Sequence, residues 1–243
     1  MNVVIIVPTY NERENLPILL DSILAHYDYR VLVVDDQSPD GTGGVADEYA
    51  RRHPDRIEVM HRTGPRGLGR SYIDGMKRAL AGGADVVCQM DADFSHDPKY
   101  LPDLIAATGQ YDLVIGSRYL RGVSVVNWPL RRVILSAFAN WYVRSITRLA
   151  VRDCTAGYRA WRRDALAAIP IDGMLSGGYA FAVELTFEAA RRGYRIGEVP
   201  IIFVERREGV SKMSTRVLTE SMLMPWRLVW RGLWRAGSGG AGS

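Results

Sequence analysis

Two aspartates spaced i and i+2, Asp91 and Asp93 in Met90-Asp91-Ala92-Asp93-Phe94-Ser95, are the residues in this sequence best suited to chemistry. In extended chain they project to the same side. Two carboxylates so placed match the sparse protein ligand set of Mg²⁺ or Mn²⁺, which complete their shells with water and substrate phosphates. A metal there would neutralise a diphosphate as it departs. An Asp-x-Asp alone is common, and this one gains meaning from its place at the end of a short apolar run, Asp85 to Gln89, beside other run ends that are also polar. The first run, Val3 to Val7, opens into Pro8-Thr9-Tyr10-Asn11-Glu12, an aromatic, an amide and a carboxylate on which a nucleotide base can stack and bond. The second opens into Asp35-Asp36-Gln37-Ser38-Pro39-Asp40-Gly41, where Asp36 is placed to reach a ribose or base and Asp40 reads better as a helix cap. A further run ends in Gly116-Ser117-Arg118-Tyr119, and arginine grips phosphate bidentately.

Such residues act together only if the run ends meet along one edge. Val3 to Val7, Val31 to Val34, Ile57 to Met60, Asp85 to Gln89 and Leu113 to Ile115 read as strands whose continuous apolar character suits a parallel sheet covered on both faces. Between them Glu14 to Ala25, Asp40 to Arg52, Leu68 to Leu80 and Lys99 to Thr108 carry apolar residues at helical spacing. The pattern predicts a doubly wound, mostly parallel α/β sheet with helices on both faces, whose ligands sit beyond the carboxyl ends of the strands. After Gly116 the rhythm changes: Arg121 to Pro129 reads as a loop, Leu130 to Val151 as a long helix punctuated by arginines, and Tyr179 to Arg192 as another helix. Arg195 to Val204 reads as an extended segment broken at Pro200, and Met213 to Arg235 as a final helical stretch. The change of rhythm divides the chain into one folded domain over 1–212, with a first half to about 118 and a second half over 119–212. An amphipathic helix over 213–235 and a flexible tail over 236–243 complete it.

A chain of 243 residues with 47% hydrophobic and 24% charged residues can bury a full core and is not disordered. The formal net charge of +4 is small and permits a phosphate-bearing partner without pointing to nucleic acid. Cys88 and Cys154 match neither a disulfide framework nor metal-ligand spacing, which fits a reducing compartment. The opening MNVVIIVPTY lacks a signal peptide's basic start and longer apolar stretch, and no run reaches the roughly 18 apolar residues of a membrane span. The chain is expected to be soluble or attached peripherally to the cytoplasmic face of a membrane.

The segments PTYNE, DDQSPDGT, RGLGRSY, MDADFSHDP, GSRY, DCTAGYR and GEVPIIFVERREGVSKM follow one another in the order seen in family 2 nucleotide-sugar glycosyltransferases. Over about residues 2 to 215 the chain resembles the polyprenol (dolichyl) phosphate mannose synthases. The resemblance implies a type A glycosyltransferase fold, GDP-mannose as donor, and a polyprenyl phosphate β-mannose product that serves as a lipid-linked mannose donor; it makes 1–212 the catalytic domain, with a nucleotide-sugar half to about 118 and an acceptor half over 119–212. By position it places Pro8, Tyr10, Glu12, Val34 and Asp36 around the guanosine, and Asp91, Ala92 and Asp93 at the metal and diphosphate. Arg118, Arg206 and Lys212 become phosphate-facing cations. Some relatives carry a longer amide at the position of Ser95, so this serine is expected to act through water rather than on the metal.

A lipid phosphate is largely dianionic at neutral pH, so it needs alignment and charge compensation more than a general base. Arg118 and Arg132 are the candidates for gripping it, with Arg131 as the substitute. Asp153 to Arg159 is expected to wall donor from acceptor. Glu184 either bonds sugar hydroxyls or partners a nearby arginine, the second being favoured. Val133, Ile134, Ala137, Phe138, Trp141 and Tyr142 line one side of their helix, and Trp226, Trp230 and Trp234 recur every four residues, each followed by an arginine. Tryptophan beside arginine suits a helix lying at headgroup depth. Related synthases carry or borrow transmembrane helices, so a separate membrane partner is expected. The run Gly64 to Ser71 approximates a phosphate-binding P-loop, with Arg70 where that loop needs lysine, which makes a nucleoside triphosphatase the competing class. A different nucleotide sugar, UDP-glucose or UDP-N-acetylglucosamine, is the competing donor.

Overall fold

The computed structural model describes residues 1–174, 178–204 and 222–231. The first half alternates as the apolar pattern requires: β1 (Val3–Thr9), α1 (Asn15–His26), β2 (Arg30–Asp35), α2 (Thr42–Arg52), β3 (Ile57–His61), α3 (Leu68–Ala81), β4 (Val86–Gln89), α4 (Leu101–Ala107) and β5 (Leu113–Ser117). The second half follows with β6 (Val125–Val126), α5 (Leu130–Thr147), β7 (Arg159–Arg162), α6 (Arg163–Ala167), α7 (Gly178–Arg191), β8 (Ile196–Pro200) and β9 (Phe203–Val204). Residues 222–231 are helical. Thus a described part of the expected C-terminal helix is present, and α5 stops at Thr147 because Arg148 turns left-handed, φ 57°.

The sheet has seven strands in the order β3-β2-β1-β4-β7-β5-β8. All pairings are parallel except those of β7, which runs antiparallel between β4 and β5. Strand alternation divides the core in two. Val4 and Ile6 of β1 with Leu32 and Val34 of β2 face α3, α5, α7 and the 222–231 helix. Val3, Ile5 and Val7 with Val31 and Val33 face α1, α2 and α4. Both faces are covered, which is why these strands read as unbroken apolar runs. The parallel order brings the carboxyl ends of β3, β2, β1, β4, β5 and β8, and the amino end of β7, to one edge.

Candidate active site

The loops leaving the first, second and fourth strands each contain a non-glycine residue in the left-handed region: Asn11 (φ 59°), Gln37 (φ 62°) and Phe94 (φ 62°). Such positions carry a conformational cost and are uncommon outside asparagine-type residues. Here all three lie just past strand ends on the edge to which the candidate residues map, where they turn the chain sharply as it leaves the sheet.

Asp91 and Asp93 are held by different neighbours. The Asp91 carboxylate accepts a 2.7 Å hydrogen bond from the Tyr72 hydroxyl, while its backbone N–H donates to His96 Nδ1 at 3.0 Å. Tyr72 is buried on α3, and burial followed by the charge of Asp91 pushes its pKa well above the ordinary value, so it stays a proton donor. His96 stacks on Tyr158, 4.8 Å between ring centroids. Gly157 passes so close that a Cβ there would stand 3.3 Å from His96 and 3.8 Å from the Asp91 carboxylate. Asp93 is buried, and its Oδ1 accepts from both the amide (3.1 Å) and the hydroxyl (2.6 Å) of Ser95. Ser95 therefore orients Asp93. Among the described residues no three histidine, cysteine or acidic side chains form a metal-binding group. Two carboxylates alone fit a hard divalent cation whose remaining ligands are phosphate and water.

Toward β2 the edge carries the residues expected to meet a nucleotide. Asp36 is buried, ion-paired with Arg62, and accepts the Gly67 N–H at 2.7 Å. Each carboxylate oxygen keeps a further lone pair, so a ribose hydroxyl can still donate to it. Arg62 also reaches Asp74 at 2.7 Å and the Pro65 carbonyl at 3.2 Å, which ties β3, α3 and the glycine-rich loop to Asp36. Tyr10 is exposed, with the Arg66 guanidinium 5.0 Å from its ring centre and donating to its hydroxyl at 2.6 Å. The P-loop-like run is thus bound to Asp36 and Tyr10, its Gly67 amide occupied by a carboxylate. Glu12 accepts from the Asn15 amide at 2.8 Å, while its N–H donates to Thr42. Asp40 accepts from the amide and hydroxyl of Thr42 at the start of α2, but the cap position itself is Gly41, φ 91°, so Asp40 braces the helix start from one residue outside the cap it was expected to fill. Pro8 and Val34 are paired across β1 and β2 and buried, and Ala92 is buried too, so whatever these three offer a ligand comes from main chain.

On the other side of Asp91, Arg118 leaves β5 and is buried. Its Nε and one Nη each donate to Asp153 at 2.7 Å, and Thr155 accepts at 2.8 Å. Burial acts to raise the Asp153 pKa, but the charge and hydrogen bonds of Arg118 hold it below the ordinary carboxylate value. That edge of the guanidinium is committed inside the protein, a role its sequence position did not reveal. The Arg118 guanidinium also lies 5.5 Å from the ring centres of Tyr119, Trp128 and Phe203. Arg132, from the first turn of α5, stacks on the same Trp128 at 4.2 Å. The structure therefore brings Arg118 and Arg132 together around an indole that sequence reasoning passed over as loop; its place in sequence between two candidate arginines was the available signal. Arg131 is exposed beside them. Glu184 is buried and pairs with Arg231 at 3.2 Å, which supports its reading as an arginine's partner. Arg206 and Lys212 lie outside the described residues.

The segment expected to wall donor from acceptor carries a second buried arginine. Arg159 donates to the carbonyls of Ala156 (2.7 Å) and Cys154 (3.1 Å), and burial lowers its pKa to about 10, so it remains charged at neutral pH. Asn140 of α5 accepts the Cys154 N–H at 2.8 Å. Asp153 to Arg159 is thereby fixed from both sides, between the Asp91 loop and the Arg118 cluster.

Residues 4–169 match the family described as Glycosyl transferase family 2. The chain is 48% identical over 222 residues to a polyprenol monophosphomannose synthase of Mycolicibacterium smegmatis, covering 90% of this chain and 83% of that one. It is also 48% identical over 238 residues to an undecaprenyl-phosphate mannosyltransferase of Micrococcus luteus, covering 96% and 98%. Among solved structures, glucosyl-3-phosphoglycerate synthase of Mycobacterium tuberculosis, crystallised with Mn²⁺, uridine diphosphate and glucosyl-3-phosphoglycerate, aligns with TM-score 0.64 at 19% identity, over 97% of this chain and 80% of that one. Mannosyl-3-phosphoglycerate synthase of Rubrobacter xylanophilus aligns with TM-score 0.62 at 19% identity, over 98% and 75%. At that identity the structural likeness concerns the fold.

Proposed function

Since the chain belongs to glycosyl transferase family 2, we propose that it transfers mannose from GDP-mannose to a polyprenyl phosphate, with inversion, at the cytoplasmic face of a membrane. It is a glycosyltransferase with the type A fold; donor, acceptor and stereochemistry are the proposal. The observation that carries the reading is the run of strand ends along one edge. Tyr10 and Asp36 lie to one side of the Asp91–Asp93 pair, and Arg118 and Arg132 with Trp128 lie to the other. Two anionic partners can meet on such an edge, a nucleoside diphosphate sugar and a phosphate monoester. The two mannosyltransferase relatives, 48% identical, support mannose and the lipid phosphate.

Tyr10, Glu12 and Asp36 would hold the nucleoside, with Pro8, Val34 and Ala92 shaping the floor through main chain. Asp91 and Asp93 would hold Mg²⁺ or Mn²⁺, a reading supported by their donor chemistry and by the Mn²⁺ in the fold relative. When bound, that ion supplies charge neutralisation to the departing diphosphate. The acceptor phosphate is its own nucleophile, largely dianionic above a pKa of about 6, so the protein has no proton to remove from it. Arg132 would compensate its charge and Arg118 would fix the frame, with Arg206 and Lys212 as further phosphate-facing cations. Orientation behind the sugar carbon is then the main contribution to rate. Membrane attachment through α5 and the 222–231 helix, with a separate transmembrane partner, completes the reading.

The test is transfer of radiolabelled sugar from GDP-mannose, UDP-glucose and UDP-N-acetylglucosamine to a polyprenyl phosphate in detergent, with and without each metal. Metal-dependent labelling from GDP-mannose, abolished in a folded Asp93→Ala variant, is the expected result. Labelling from a UDP-sugar instead would overturn mannose, and full activity of Asp93→Ala would remove the metal.

A further inference from the structure

Among the described residues two buried side-chain nitrogens have no hydrogen-bond partner: Arg159 Nη1 and Trp128 Nε1. Leaving a buried N–H unpaired is costly, so each needs an explanation. Arg159 lies wholly inside the protein, under the Cys154–Ala156 turn, and is met on its other nitrogens by carbonyls. Trp128 is different. The residue as a whole is half-buried although its Nε1 is covered, it stands in the loop between β6 and α5, and its ring is the surface on which Arg132 stacks at 4.2 Å and Arg118 approaches at 5.5 Å. Phe203 meets it edge-on at 5.4 Å and fixes its plane. An indole N–H is a donor that can never accept. Set against two guanidinium groups, one of them ion-paired with Asp153, it adds a neutral donor to the cluster, which suits a phosphate oxygen and not a cation.

We propose that Trp128 is an acceptor-binding residue: its Nε1–H donates to an oxygen of the lipid phosphate monoester while its ring holds Arg132 in place. The proposal deepens the function argued above and rests on that reading. It explains why the loop before α5 spends a large aromatic beside two arginines, and why the indole nitrogen finds no partner within the protein. Discrimination follows as well. A second donor beside Arg132 favours a terminal phosphate with several free oxygens over a diphosphate whose oxygens already face the Asp91 loop.

Two replacements separate the N–H from the ring. Trp128→Phe keeps an aromatic plate, and incorporation of benzothienylalanine at position 128 keeps the full shape while exchanging N–H for sulfur. Each is assayed for KM toward farnesyl phosphate in detergent and toward GDP-mannose, with wild-type protein showing that transfer to a prenyl phosphate occurs at all. The expected result is a rise in the KM for farnesyl phosphate of about 10- to 100-fold in both proteins, the range for a lost hydrogen bond to a charged group, with the KM for GDP-mannose within about two-fold. An unchanged acceptor KM in the benzothienylalanine protein would overturn the proposal, and so would a rise confined to GDP-mannose, which would assign the N–H to the donor. Failure of wild-type protein to use any prenyl phosphate would instead sink the function itself.

Discussion

At the scale of single residues, the candidate ligands are held by side chains that stand behind them. Asp91 is a usable ligand only if its carboxylate is aimed, and Tyr72 aims it: the hydroxyl is buried on α3, has its proton locked on by burial, and reaches Asp91 at 2.7 Å. Partners behind a metal ligand typically change affinity about 10- to 100-fold. Tyr72→Phe removes one oxygen and leaves the ring among Met76 and Ala79, so the fold should be kept. We expect Mn²⁺ affinity, read by titration of the free-ion electron paramagnetic resonance signal in the presence of GDP, to fall about ten-fold. Unchanged Mn²⁺ affinity would show that Asp91 needs no such aim. Asp91, Asp93, Asp36 and Tyr10 were legible as chemistry because their types and strand-end positions coincide. Tyr72, His96, Arg62 and Trp128 were not, because what matters about them is the neighbour they meet from another element. Sequence distance hides that neighbour: Tyr72 and Asp91 are separated by a helix end and a strand.

At the scale of elements, the alternation of apolar runs and helical periods predicted every parallel strand from β1 to β5, because strands buried on both faces carry that signature in their composition. The antiparallel β7 left no such mark. Its four residues, Arg159 to Arg162, include two arginines, and a strand supported on both sides by β4 and β5 needs little apolar character of its own to stay in place. Glycine in α3 gives a test of how tightly these layers fit. A Cβ on Gly75 would stand 2.6 Å from Ile6 and 3.1 Å from Val34, both wholly buried on the sheet. Gly44 sits on the exposed side of α2 with nothing within 4 Å. The same change should therefore have opposite signs. Gly44→Ala gains helix propensity and should stabilise by about 0.5–1 kcal/mol. Gly75→Ala gains the same amount but overpacks the core, at a cost of about 1–3 kcal/mol that makes it net destabilising. Urea unfolding of the two variants reads both, and equal shifts would mean that α3 can lift from the sheet freely.

At the scale of the whole molecule, one surface does not behave like the rest. The α5 helix buries only Asn140, Val143 and Thr147, and leaves Leu130, Ile134, Leu135, Phe138 and Trp141 exposed. Beside it the 222–231 helix sends Met224 and Leu228 into the core and leaves Met222, Leu223, Trp226 and Trp230 outside. The two helices are joined, since the Tyr142 hydroxyl donates to the Met222 carbonyl at 2.9 Å and receives the Trp226 N–H at 3.0 Å. Trp226 and Trp230 thus stay at the surface rather than pack into the domain, and Trp234 lies outside the described residues. No helix among the described residues is long and apolar enough to cross a membrane. Exposed aromatics flanked by the exposed Arg131, Arg144 and Arg227 suit an anionic lipid interface instead. Because Met224 and Leu228 belong to the core, deleting the helix would damage the fold, and a cleaner test replaces only surface rings. Trp141 and Trp230 are 61% and 67% exposed and have no part in the site. If each inserts about half its surface, ~100 Å² at ~25 cal/mol per Å², the contribution is ~2.5 kcal/mol per ring. The double variant Trp141→Ser, Trp230→Ser should then lose at least ~10-fold in co-sedimentation with phosphatidylglycerol vesicles, while transfer to a short-chain acceptor in detergent stays within about two-fold. Undiminished vesicle binding would place the membrane contact elsewhere on the molecule, and an equal loss in both assays would mean that the rings serve the fold or the acceptor rather than the bilayer.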